Sequence, residues 1–273
     1  MIPAAFDYVR AGSADEAIAL LGEHGDEAKL LAGGHSLLPL MKLRLAIPSV
    51  LIDIGRVPDL SYIEERGDEI AIGALARHHD LETSALLKEQ VPLLAFTSHQ
   101  VGDPQVRHRG TLGGTLAHGD PASDLPAAVL ALGGTLVAQG PDGRREIAAV
   151  DFFQGFLETA LGADEMLVEI RVPKMAGAGW SFQKFNRRAQ DWAIVGVAAV
   201  LNGTTGIALI NMGSTPQRAT AVEEAVRRGA SAADAATAAD QGTDPPSDVN
   251  ASSEYRRHLA TVLVRRALEE ATS

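Results

Sequence analysis

The 273-residue chain contains no cysteine. Without a thiol its own residues cannot form a disulfide, a thiolate zinc site or an iron–sulfur cluster. Aromatic residues are scarce, at 4%, so Ala, Leu, Val and Ile must fill the core, and no base-stacking surface is expected. Positive charge is in the minority: 24 Lys and Arg face 35 Asp and Glu, a formal net charge of −11. A field of that sign repels nucleic acid and anionic lipid. Long apolar runs are missing too, so no membrane insertion is expected. The start, Met1-Ile2-Pro3-Ala4-Ala5-Phe6-Asp7, lacks the basic and apolar stretches of a secretion signal. The expected compartment is cytoplasmic. What the chain does have is 46% hydrophobic residues, enough for a packed core in one large domain or two smaller ones.

Local patterns order the chain. Ser13-Ala14-Asp15-Glu16 reads as a capping box ahead of the helically spaced Ala17, Ile18, Leu20 and Leu21, with Gly25 closing that helix. Residues 28–32, 48–54 and 69–74 read as strands. Residues 81–101 read mainly as helix, broken or restarted at Pro92. Residues 102–115 are dense in glycine and charge and show no helical pattern, and a loop of that length in a compact domain is usually functional. A helix over 125–132 and a hairpin over 135–149, turned at Pro141-Asp142-Gly143, follow. The interruption at 173–179 is the best internal boundary. Beyond it come three strands (180–185, 195–201, 207–212), an alanine-rich helical stretch (219–241) and a final helix capped by Ser252 or Ser253.

Two glycine-rich segments stand out: Ala32-Gly33-Gly34-His35-Ser36 and Thr111-Leu112-Gly113-Gly114-Thr115. Paired glycines free the backbone and remove Cβ atoms, so successive N–H groups can converge on an anion. Ser36, Thr111 and Thr115 add hydroxyls. A helix starting within 37–45 would turn its N-terminus toward the same anion. Two such loops suit a ligand with two phosphates, a dinucleotide. Each loop alone reads better as a plain turn, and neither matches the nicotinamide or P-loop glycine patterns.

The flanking residues decide more. Residues 32–42, AGGHSLLPLMK, and the segments Gly102-Asp103-Pro104-Gln105-Val106-Arg107, Thr111-Leu112-Gly113-Gly114 and Ala117-His118-Gly119-Asp120-Pro121 resemble two signatures of the molybdenum hydroxylase flavoprotein subunits. That family includes the medium subunit of aerobic carbon monoxide dehydrogenase and the FAD-binding subunit of xanthine dehydrogenase. Asp151-Phe152-Phe153, Glu169-Ile170-Arg171-Val172-Pro173, residues 187–193 and Tyr255-Arg256-Arg257-His258-Leu259 extend the resemblance over the whole chain. It implies an α+β chain with a vanillyl-alcohol-oxidase (PCMH) type FAD-binding fold of two α/β subdomains, about 1–55 and 56–175. A C-terminal domain, 178–273, would carry a three-stranded antiparallel sheet and helices.

The resemblance also implies roles. Ala32, Gly33, Gly34, His35, Ser36, Thr111, Leu112, Gly113, Gly114 and Thr115 would hold the FAD pyrophosphate and its neighbours. Val101 would line the flavin site, Asp124 would accept a hydrogen bond from the cofactor, Leu167 would contact adenine, and Lys184 would lie near the isoalloxazine. Trp192 falls where relatives often place a tyrosine near the ring. Two departures are Thr115, where many relatives have asparagine, and Gly119, where alanine is common. Neither a catalytic acid, base or nucleophile nor a metal ligand is expected on this chain. The implied function is an electron-transfer subunit of a molybdopterin-dependent hydroxylase. It would work beside a large molybdopterin subunit and a small iron–sulfur subunit in a dimer of heterotrimers, passing electrons through FAD to quinone, oxygen or NAD. The alternative is a self-sufficient FAD-dependent oxidoreductase with its own organic substrate.

Other polar residues have plainer readings. His78-His79-Asp80 reads as a solvated loop, because adjacent side chains diverge and no further ligand sits at metal spacing. Arg107-His108-Arg109 reads as a solvated charge run, though an electropositive rim is the other possibility. Apart from the resemblance, Asp124 reads as a helix cap and Lys184 as a surface strand lysine. His35 is balanced between phosphate donor and turn cap. His118-Gly119-Asp120 reads as a loop beside the cofactor.

Overall fold

The computed structural model describes residues 2–175, 177–202 and 204–273. The expected boundary at 173–179 includes Ala176, which lies outside the described residues, as do Met1 and Gly203 of the expected domains.

The first layer is a small parallel sheet. Strands β1 (Asp7–Arg10), β2 (Ala28–Leu31) and β3 (Val50–Asp53) are ordered β1-β3-β2, with helices α1 (Ala14–His24) and α2 (Leu37–Lys42) in the crossovers. Ser13 caps α1 by accepting the Glu16 N–H, and Glu16 reaches back to the Gly12 N–H. Gly25 ends it at φ 54°.

The second layer is antiparallel. Strands β4 (Ile63–Arg66), β5 (Glu69–Gly73), β6 (Thr135–Gly140), β7 (Gly143–Ala148) and β10 (Met166–Pro173) are ordered β4-β5-β10-β6-β7. Between β5 and β6 run α3 (His78–Thr83), α4 (Ala85–Gln90), α5 (Pro92–His99), α6 (Pro104–Arg107), α7 (Leu112–His118) and α8 (Asp124–Ala131). A short helix α9 (Ala149–Phe152) and the hairpin of β8 (Phe153–Gly155) with β9 (Glu158–Thr159) precede β10.

The third layer is an antiparallel sheet of β11 (Gly179–Phe185), β12 (Val195–Asn202), β13 (Thr204–Ile210) and β14 (Gln217–Arg218), in sequence order. Helices α10 (Thr220–Arg227), α11 (Ala232–Ala236) and α12 (Ser253–Ala271) cover one face. The other face packs on α8, all eight residues of which are buried. The layers therefore share apolar surface: Ala198, Val200, Ala208 and Ile210 join the same core as Ile70, Leu94 and Leu125.

The α+β architecture is as expected, with four corrections. Residues 102–115 contain α6 and the start of α7. Asp103 accepts the Val106 N–H at 2.9 Å and Thr111 the Gly114 N–H at 3.1 Å, so side-chain caps start helices too short for periodicity to reveal. The stretch 81–101 is covered by three helices, with Pro92 opening the third. The alanine-rich stretch is split, since Gly229 at φ 85° stops α10 and Ser231 caps α11. The C-terminal sheet gains a fourth, two-residue edge strand, held by two residue pairs to β13. Of the two candidate caps for α12, Ser252 is the one used.

Candidate flavin site

A cavity of about 670 Å³ runs between the first and second layers and ends against the third. Both glycine segments form its walls. Residues 32–36 leave β2 and enter α2; Gly34 takes φ 77°, a left-handed conformation that a side chain would strain. A Cβ on Gly33 would overlap the carbonyl oxygen of Arg109, so the two segments meet backbone to backbone. The second segment is fixed from behind. Leu112 N–H donates to Ala76 O at 3.0 Å, Gly113 N–H to Ala74 O at 2.9 Å, and His78 N–H to Gly110 O at 3.0 Å. A Cβ on Gly113 would sit 2.7 Å from that Ala74 oxygen.

Thirteen of the fourteen expected binding residues line this cavity: Ala32, Gly33, Gly34, His35, Ser36, Val101, Thr111, Gly113, Gly114, Thr115, Asp124, Leu167 and Lys184. Leu112 does not; its side chain is buried in the core. Trp192 lines the cavity mouth and is 59% exposed. Ser36 makes no cap hydrogen bond to α2.

One end of the cavity carries a buried ion pair. Lys184 of β11 donates to Asp124 Oδ2 at 2.7 Å and to the Gln100 carbonyl at 3.2 Å. Burial pushes the Asp124 carboxyl up to about 6, against the pull of the Lys184 charge and hydrogen bond. Asp124 Oδ1 is buried with no hydrogen-bond partner among the described residues. A buried acceptor without a donor is costly, and a ligand N–H or O–H would relieve it. Lys184 is thus no surface lysine: its side chain is 7% exposed.

Two plainer readings fail as well. His78 is not in a solvated loop; it opens α3, is 3% exposed and lines the cavity. Its Nε2 lies 3.1 Å from Thr115 Oγ1. Burial pulls its pKa down to about 4, so the ring is neutral near pH 7. Arg107 is not solvated either; it is buried and ion-paired with Glu82 at 2.8 Å. Local sequence suggested solvent for both; the packing of α3 against α5 and α6, contacts that no local pattern encodes, encloses them. His118 ends α7 and lines the cavity beside Ser123, Gln190 and Asp191, three polar residues that sequence reasoning missed. Among the described residues no group of three His, Asp or Glu could hold a metal. No described helix is long and apolar enough to cross a membrane.

The cavity joins a glycine-lined, hydroxyl-bearing middle to an end with an unsatisfied acceptor, which fits an elongated ligand with anionic and hydrogen-bonding parts. Residues 4–175 match the family model described as the FAD binding domain in molybdopterin dehydrogenase, and residues 180–271 match the CO dehydrogenase flavoprotein C-terminal domain. The chain belongs to this flavoprotein family. It is 44% identical to the carbon monoxide dehydrogenase medium chain of Hydrogenophaga pseudoflava, over 99% of this chain and 98% of that one. It is 38% identical to the 6-hydroxypseudooxynicotine dehydrogenase complex subunit alpha of Paenarthrobacter nicotinovorans, over 99% and 96%. A solved structure of the Hydrogenophaga pseudoflava enzyme superposes with a TM-score of 0.95, covering 100% of this chain and 99% of its counterpart. FAD is the cofactor, and the chain is an oxidoreductase subunit of the molybdenum hydroxylase type with an electron-transfer role. Its relatives are subunits of multi-subunit complexes.

Proposed function

We propose that FAD lies along the 670 Å³ cavity and that this chain relays electrons between a reducing partner and an external acceptor. The observation that carries the placement is the meeting of both glycine segments on one cavity that also holds the unsatisfied Asp124 oxygen. Ala32, Gly33, Gly34, His35 and Ser36 hold the pyrophosphate from one side, and Thr111, Gly113, Gly114 and Thr115 from the other. Leu112 acts through its backbone, anchoring the second segment to Ala76. Leu167 contacts the adenine, Val101 and Lys184 face the ring, and Asp124 accepts a hydrogen bond from the cofactor. FAD, when bound, supplies the redox chemistry and exchanges electrons singly or in pairs. The protein's share is to bind, orient and set the electrostatics, and no side chain acts as acid, base or nucleophile on the organic substrate.

The missing thiols support reducing centres carried by other chains. The partners are a large molybdopterin subunit, which carries the substrate pocket, and a small iron–sulfur subunit, assembled as a dimer of heterotrimers in the cytoplasm. The acceptor is a quinone, oxygen or NAD. Residues 1–175 form the FAD domain and 178–273 the C-terminal domain.

Titration of the purified protein with FAD, followed by flavin fluorescence and thermal shift, tests this reading. One FAD per chain and a raised melting temperature are expected. A colourless protein whose melting temperature is indifferent to FAD overturns it.

A further inference from the structure

The turn that leaves α5 is held by two buried cations, Lys184 on the cavity side and Arg107 behind it. Lys184 takes the carbonyl of Gln100 at 3.2 Å. The guanidinium of Arg107 takes the carbonyls of Val101 at 3.2 Å and Gly102 at 3.5 Å. Three successive carbonyls, of the α5 cap residue and the two residues beyond it, are thereby satisfied by positive charge, the favourable sign at that end. Arg107 is held in turn by Glu82, which also accepts from His79 at 2.9 Å and His99 at 3.1 Å. Burial pushes the Glu82 carboxyl up, yet the hydrogen bonds from His79 and His99 and the charge of Arg107 outweigh it and hold the pKa below the usual range. The carboxylate therefore stays charged and the guanidinium stays anchored.

The direction of this pull matters. Val101, Gly102 and Val106 line the cavity, whereas Arg107 and Glu82 do not; Glu82 borders a separate hollow with Phe96, His99 and Trp180. In a trans peptide the N–H points opposite to the C=O. Drawing the Val101 and Gly102 carbonyls toward Arg107 turns the N–H groups of Gly102 and Asp103 the other way, away from the Arg107–Glu82 pair. Gly102 sits at φ 50°, a conformation that favours glycine.

We propose that the Glu82–Arg107 pair is a positioning device that fixes the peptide between Val101 and Gly102, so that the Gly102 N–H is a hydrogen-bond donor toward the redox end of the cavity. Fixed donors favour the more electron-rich state of whatever they face. This inference rests on the proposed placement of FAD. A lysine at 107 keeps the charge but lacks the planar fork that serves two carbonyls and a carboxylate together.

The test compares Arg107→Lys, Glu82→Gln and the control Arg256→Lys in the FAD-loaded, full-length protein in its native assembly. Arg256 is also buried and is paired with Asp248, but lies outside the cavity. Measured are the flavin midpoint potential, the flavin absorption band and the melting temperature. Arg107→Lys is expected to weaken the reduced cofactor relative to the oxidised one by about tenfold, which for a two-electron couple is ~30 mV to more negative potential. Glu82→Gln should shift the potential the same way by less, and Arg256→Lys should lower only the melting temperature. Unchanged potentials and band shapes in both Arg107→Lys and Glu82→Gln, with FAD bound as in the parent, overturn the positioning role alone. A parent protein that holds no FAD overturns this role and the placement beneath it. If Arg107→Lys does not fold, the Glu82→Gln potential decides.

Discussion

The residues that bear most weight in the cavity are polar ones that burial has altered. His78 is a titratable group whose folded pKa, about 4, lies below its ordinary 6.5 because burial disfavours the imidazolium. Its contribution to stability is complete above the unfolded value and is lost as pH falls from 6.5 toward 4. By that shift, acidification should cost up to about 3 kcal/mol at this site. Urea melts at pH 7.5 and 4.5 should show His78→Gln losing less stability between the two than the parent; equal losses refute the assignment. Asp124 and Lys184 behave as a unit. Asp124→Asn leaves a buried ammonium without its counter-charge and should cost about 3–5 kcal/mol. Adding Lys184→Met should restore part of that loss, and denaturant titration of the single and double variants measures it.

At the scale of elements, the legible parts were those whose signal is local and repeated. The Pro141-Asp142-Gly143 hairpin, the capping box at Ser13 and the three long strands of the third layer follow from turn chemistry and periodicity. Helices α6 and α7 were not visible, because four and seven residues give too few turns for a period to show and two glycines lower the propensity of α7. The caps at Asp103 and Thr111 were the available signal. The two glycine segments could be marked as an anion site from composition, and their flanks carried the family resemblance. Their union with Asp124 and Lys184 depends on contacts 60 or more residues apart, which no local pattern encodes. Helix α12 illustrates how packing rather than propensity stabilises an element. Its Leu259, Leu263 and Ala267 are buried on the third sheet. Leu263→Ala should cost about 2–5 kcal/mol, measurable by thermal or urea unfolding.

For the whole molecule, α8 is the shared beam. Its residues contribute to one core with strands of both the second and third sheets. A fragment of residues 178–273 would expose the apolar face of Ala198, Val200, Ala208 and Ile210. Expressed alone, it should aggregate or bind a hydrophobic dye, and the intact chain should unfold in one transition; a soluble, folded fragment would refute the coupling. The contact between Gly33 and the Arg109 carbonyl joins the first layer to the second in the same fashion, main chain against main chain. Such a joint has no side-chain dialect. Side chains around it can be exchanged without touching the seam, whereas a single methyl group added at Gly33 would drive it apart.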